Sequence, residues 1–180
     1  MDRLNKSDDM IIDFITGNKV PDVGPEANRQ EVERVLVEQK GYAKKDIEVD
    51  ALIEIEIAEK VYRSSVDLVV SANDRRLMVV KCVAGSLGSR EREIIAASRL
   101  LDKYQIPFSV ASDGKTAVVL DTVSGKKLGE GLNAIPSKDE IKKSLAATAL
   151  EPLSEKRLEK EKLIFRSYDS MNVNVRRKCG

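Results

Sequence analysis

Between Ile47 and Val83 three apolar segments follow one another, and each reads as a β-strand. Ile53-Glu54-Ile55-Glu56-Ile57 alternates apolar and acidic side chains, the period of a strand with one face in water. Val61 to Ser71 and Leu77 to Val83 are more evenly apolar and β-branched, as expected of central strands covered on both faces. The link Ala72-Asn73-Asp74-Arg75-Arg76 predicts a tight hairpin. Such a sheet has to be covered by helices, and the flanking sequence offers two. Gly24 and Pro25 suit the start of a helix to about Lys40, with Val32, Val35 and Leu36 on one face and Gly41 as its stop. Ser89 to Tyr104 carries Ile94, Ala97, Leu101 and Tyr104 at helical spacing.

Further strands are expected at Phe108 to Ser112 and Thr116 to Thr122 around an Asp113-Gly114 turn, then a short segment ending near Gly131. Ser137-Lys138-Asp139-Glu140 matches a capping box for a helix to about Leu145. The apolar run Met10 to Ile15 suggests a short helix against the core. From Glu151 the chain turns charged and helical, Ser154 to about Tyr168, and Arg176-Arg177-Lys178 are expected to be frayed. The reading is thus a small α/β domain centred on Glu26 to Gly131, with 1–150 as the domain and 151–180 as a charged helical extension.

Composition narrows the chemistry more than the fold. The 180 residues include no histidine, which removes Ser-His-Asp, Cys-His and His-based nuclease sites. Cys82 and Cys179 lie far apart, so neither a disulfide framework nor a four-ligand zinc site is expected. Any catalysis must use carboxylates, lysine, hydroxyls and a hard cation held by oxygen. A formal charge of +1 argues against a general polyanion-binding tail but leaves room for a local basic face. With no run of about 18 apolar residues and no secretory h-region, the protein is expected to be cytoplasmic, without a membrane partner.

Asp67 near the middle of the second strand and Lys81 near the middle of the third need a partner or a purpose in such apolar surroundings. If the loop between the strands holds an odd number of residues, the two stand opposite each other on one face. They then form either a structural salt bridge or half of a metal-dependent phosphodiester site.

Glu26-Ala27-Asn28-Arg29-Gln30-Glu31-Val32, Gly41-Tyr42, Val66-Asp67-Leu68-Val69-Val70 and Val79-Val80-Lys81 resemble, in order and spacing, the N-terminal domain of type I restriction enzyme R subunits. The resemblance is closer still to short free-standing proteins that share that domain. It runs from about Ile12 to Tyr168 and is strongest between Glu26 and Asp113. It implies a restriction-endonuclease-like, PD-(D/E)xK α/β fold, a mixed central sheet flanked by helices. In that family an aspartate and a second acid hold Mg2+ (or Mn2+), and a lysine positions or activates water.

On that basis Asp67 is a metal ligand and Lys81 the lysine. The second acid is expected two residues before the lysine, yet that position is Val79. Some relatives of the fold supply the acid from the following helix, which nominates Glu93 first and Glu91 second. Both also suit an ordinary first helical turn. Glu31 and Glu48 are further outer-ligand candidates, while Arg29, Arg63, Arg90 and Arg92 are candidates for contacting DNA phosphate. Cys82 points to the other face of its strand and reads as a core residue.

Two glycine-containing stretches are set aside. Gly114-Lys115-Thr116 lacks the earlier glycine of a P-loop, since Ser109 stands there, so no ATP-driven motor is expected. Gly85-Ser86-Leu87-Gly88-Ser89 lacks a dinucleotide fingerprint and suits DNA phosphate better than a nucleotide. Three functions stand: a Mg2+-dependent DNA endonuclease, a DNA-binding or scaffold protein that keeps the fold without catalysis, and an interaction protein using the last helix. Restriction-modification subunits and a second copy of the chain are the expected protein partners.

Overall fold

A computed structural model describes residues 9–147 and 149–171. The basic stretch Arg176 to Lys178 lies outside them. A six-stranded sheet in the order β3-β4-β5-β6-β7-β8 carries helices on both faces. Its strands are β3 (Ile47–Ile57), β4 (Lys60–Ala72), β5 (Arg75–Cys82), β6 (Phe108–Ser112), β7 (Ala117–Asp121) and β8 (Lys127–Glu130). All neighbours are antiparallel except β5 and β6, which run parallel and are joined through α2 (Glu91–Leu100). The strands expected from periodicity are all present.

The first helix, α1 (Glu26–Arg34), continues as a π-helical turn over Val35–Gln39 and stops at Gly41, whose φ is 77°. There the Tyr42 amide donates back to the Leu36 carbonyl at 3.1 Å, satisfying one of the last helical acceptors. α3 (Lys138–Leu145) has the expected capping box: Glu140 N donates to Ser137 Oγ at 3.3 Å, and Ser137 N donates to Glu140 Oε2 at 2.7 Å.

One face of the sheet packs Met78, Val80 and Val119 against Val32 and Leu36 of α1 and its extension and Ile141 of α3. The other packs Val69, Val79 and Leu120 against Ile94 and Ala97 of α2 and Phe165 of α4 (Glu155–Met171). The charged last helix is therefore docked on the core. Glu161 Oε1 accepts from Arg99 at 2.7 Å and from Arg92 at 2.9 Å, a buried link between α4 and α2. Among the described residues no helix is long and apolar enough to cross a membrane.

The run Met10 to Ile15 is not a helix. Met10–Ile12 forms β1, which pairs with β2 (Lys19–Pro21) as a separate hairpin closed near Gly17, whose φ is 73°. A short apolar run does not distinguish helix from strand, and here a glycine tolerant of positive φ tips the choice.

Gly114 shows how tightly the β6–β7 turn is pressed onto α1. Its φ is 83°, and an added Cβ would lie 3.0 Å from the Asn28 carbonyl oxygen and 3.2 Å from Glu31 Cβ. Gly114→Ala is expected to destabilise the protein by about 2–3 kcal/mol in urea denaturation. Gly17→Ala, with the same sign of φ but no neighbour within 4 Å, should cost only about 1 kcal/mol. Equal losses would show that backbone conformation alone sets the cost.

Candidate functional site

The β4–β5 connection decides how the two charged strand residues meet. Its turn is only two residues, Asn73 and Asp74, both with positive φ as a type I′ hairpin requires. The register shifts by one between Val70↔Met78 and Ser71↔Arg76, so Leu77 is an extra residue on β5. Two turn residues plus one bulge give the odd count that sets Asp67 across from Lys81.

The strands part at this point. The last paired residues are Leu68 and Val80, and the Cys82 amide donates 2.7 Å to Asp67 Oδ2. A carboxylate thus takes over from the backbone ladder where β4 leaves β5. Across on β3, Asp50 has a φ of 53°, and the strand changes faces there. Ile47 and Val49 pack into the α1 side, whereas Ala51, Ile53 and Ile55 pack into the α2 side. β4 makes the same change, with Leu68 on one side and Val66 on the other.

This divergence opens a cleft of about 860 Å³ whose walls include Glu26, Asp50, Asp67, Lys81, Arg90 and Asp169. Lys81 Nζ lies 3.7 Å from Asp67 Oδ2 and 3.8 Å from Glu93 Oε1. Glu93, only 3% exposed, reaches the ammonium from α2 beneath the cleft, and its other oxygen accepts from Arg90 at 3.2 Å. Burial disfavours the charge on Lys81, but the carboxylates of Asp67, Glu93 and Asp169 outweigh it and hold its pKa above the ordinary lysine value. Lys81 is therefore a cation at neutral pH, suited to holding an anion or orienting water rather than taking a proton. Burial pushes the Cys82 thiol well up, which leaves it an inert core group.

The remaining expected residues divide clearly. Neither Glu91 nor Glu93 is among the cleft-wall residues, but only Glu93 contacts Lys81. Glu31 is exposed, 4.0 Å from Arg34, and Glu48 pairs with Arg76 at 2.9 Å outside the cleft, so neither stands as an outer ligand. Arg29, Arg63 and Arg90 line the cleft, Arg63 while paired with Glu54. Arg29 is not free for phosphate: it is buried and meets Asp13, Glu26 and Asp50 at 2.9, 2.6 and 3.0 Å. Arg92 is likewise committed to Glu161.

Three acids in the cleft were not singled out from the sequence. Glu26 belongs to a helix start that favours acids anyway. The period-two pattern runs through Asp50 unbroken and hides the change of face. Asp169 arrives from α4, where Tyr62 Oη and Ser64 Oγ of β4 both donate to it. No local pattern signals such a distant partnership.

Among the described residues no three acidic or thiol side chains converge closely enough to cage a metal. Asp67 and Glu93 supply two carboxylates around one lysine, and Asp67 Oδ1 has no hydrogen bond among the described residues. That set fits magnesium, which takes one or two carboxylates and fills its remaining positions with water or substrate phosphate.

Fold and site together define a mixed α/β domain with a carboxylate–lysine cleft at the divergence of two central strands. The chain belongs to the family of the type I restriction enzyme R protein N terminus, whose profile matches residues 24–136. Among solved structures it is similar to a fragment assigned to an HsdR subunit of a type I restriction enzyme from Vibrio vulnificus YJ016, at 18% identity and a TM-score of 0.49. The match covers 66% of this chain and 25% of that one, so the chain spans about a quarter of the protein it resembles. No curated protein sequence matches it.

Proposed function

We propose that the protein is a Mg2+-dependent DNA phosphodiesterase of the PD-(D/E)xK type in which Glu93, from the helix, stands in for the missing acid at Val79. The observation that carries this reading is the placement of Lys81 Nζ between Asp67 and Glu93. Val79 is fully buried among Val69 and Ile94 and offers no oxygen. A bound cation would neutralise the scissile phosphate and lower the pKa of its water. Asp67 and Glu93 would hold that cation, with Mn2+ able to replace Mg2+. The Lys81 ammonium would donate to the attacked phosphate or orient the water, and Arg90 would fix Glu93. Arg63, at the rim, would contact the DNA backbone. Partnership with restriction-modification subunits, or with a second copy, belongs to the same proposal.

The test is nicking of supercoiled plasmid by pure protein with Mg2+ or Mn2+. Wild type and Glu91→Gln should nick, and Glu93→Gln should not. Equal rates for Glu93→Gln and wild type would remove Glu93 from the site. No nicking by wild type with either cation would remove the activity.

A second reading is favoured by the burial of Glu93 and its engagement by both Lys81 and Arg90: a DNA-binding or scaffold protein that retains the fold without catalysis. It expects salt-dependent DNA binding that survives Asp67→Asn, without nicking by the wild type.

A further inference from the structure

Along one wall of the cleft and into the core beneath it runs a second charged cluster that the proposed chemistry does not use. Arg29 of α1 is its only guanidinium among the described residues. Asp13, from the hairpin loop after β1, meets Arg29 Nη2 at 2.9 Å, and Glu26, on the same helix, meets it at 2.6 Å. Asp50, at the face change of β3, meets Nη1 at 3.0 Å. Gln30 Nε2 donates to Asp13 and Glu26 at 3.3 and 3.0 Å. Cys82 of β5 is a further titratable group near Glu33, and burial keeps its thiol neutral.

Glu33 is the fourth acid and has the poorest share. Its side chain is 0% exposed and stands 3.5 Å from Arg29 Nε, the longest of the four contacts. Among the described residues neither of its oxygens accepts a hydrogen bond, and Arg29 Nε is also unsatisfied. The Ile15 amide, which leans towards Glu33, gives its hydrogen to Asp13 Oδ1 at 3.0 Å. Asp50 is half-exposed to water, but one guanidinium cannot neutralise the three buried carboxylates of Asp13, Glu26 and Glu33, and an ionised carboxylate without water or donors is costly to bury. Asp13, by contrast, is held below the usual carboxylate range: burial opposes this, but hydrogen bonds from Thr16 and the charge of Arg29 prevail.

We infer that Glu33 is a protonated, neutral carboxyl in the folded protein below neutrality, and that its ionisation loosens the brace joining the β1–β2 hairpin to the cleft walls at Glu26 and Asp50. Burial first, and then the neighbouring charge of Asp13, push Glu33 up to about 7. The folded protein thus retains a proton that the unfolded chain gives up near 4.5. Stability from the neutral form is full below that value, falls as pH rises through about 7, and is wholly lost only above it. The inference is independent of whether the cleft cuts DNA.

Infrared spectroscopy of the wild type tests it directly. A protonated-carboxyl carbonyl stretch should be present near pH 6 and titrate away through about pH 7. It should be missing from Glu33→Gln and displaced, not lost, in Glu33→Asp. In thermal unfolding, Glu33→Gln should gain roughly 5–10 °C on the wild type between about pH 5 and 7.5. A wild type lacking the band near pH 6, or a band unchanged in Glu33→Gln, would overturn the inference. Should Glu33→Gln fail to fold, the wild-type titration and the Glu33→Asp displacement still decide it.

Discussion

Asp67→Asn is expected to abolish plasmid nicking while leaving the protein nearly as stable as wild type. The new amide oxygen can still accept the Cys82 amide that Asp67 Oδ2 holds at 2.7 Å. What disappears is a negative charge beside Lys81, and with it a ligand for a hard cation. A loss of about 4 kcal/mol in transition-state stabilisation corresponds to roughly a thousandfold in rate. Lys81→Ala should be equally inactive but also unstable, because it takes from the buried Glu93 the ammonium that faces it at 3.8 Å. Removing one partner of a buried pair costs about 3–5 kcal/mol, and the partial exposure of Lys81 places this case at the lower end. The two variants together therefore separate chemistry from folding. If urea denaturation shows Asp67→Asn to be as damaged as Lys81→Ala, the aspartate is primarily a structural cap on the parting strands. The nuclease reading then loses its main ligand.

The second large effect concerns α4. Phe165→Ala is expected to cost about 3–5 kcal/mol, since the ring is 2% exposed and packs into the core on the α2 side of the sheet. The loss should be felt at a distance. Undocking α4 would withdraw Asp169 from Tyr62 and Ser64 of β4 and expose the buried Glu161 link to Arg99. Limited proteolysis should then cut near Leu150 to Ser154 far faster than in wild type, and urea denaturation gives the free energy. A loss below about 1 kcal/mol would mean that the helix rests on its ion pairs rather than on this ring. The match to the family ends at residue 136, so α4 and its cleft acid lie beyond the matched part of the chain.

Local patterns carried most of the sheet. Alternation and β-branching marked the first strands of the main sheet, turn residues delimited the later ones, and Gly41 and the Ser137 box marked helix ends, because these signals act within a few residues. The surroundings of Arg29 were illegible for the opposite reason. An arginine on a polar-looking helix suggests phosphate contact until three other elements are known to bring Asp13, Asp50 and Cys82 around it. The helix expected at Met10 to Ile15 failed because its six residues are too few to show a period.

By itself, the sequence determined a mixed sheet between helices, chemistry without histidine, and an aspartate and a lysine on neighbouring central strands. Only the tertiary structure decided that the Leu77 bulge brings Asp67 opposite Lys81, and that Glu93 rather than Glu91 reaches the ammonium. It also decided that Arg29 spends its charge inside the protein and that α4 brings Asp169 to the cleft. The physical reason is range. Propensity and capping are settled between neighbours in the chain. Burial and charge pairing depend on residues tens of positions apart, whose meeting is set by strand register and by the side of the sheet each segment covers.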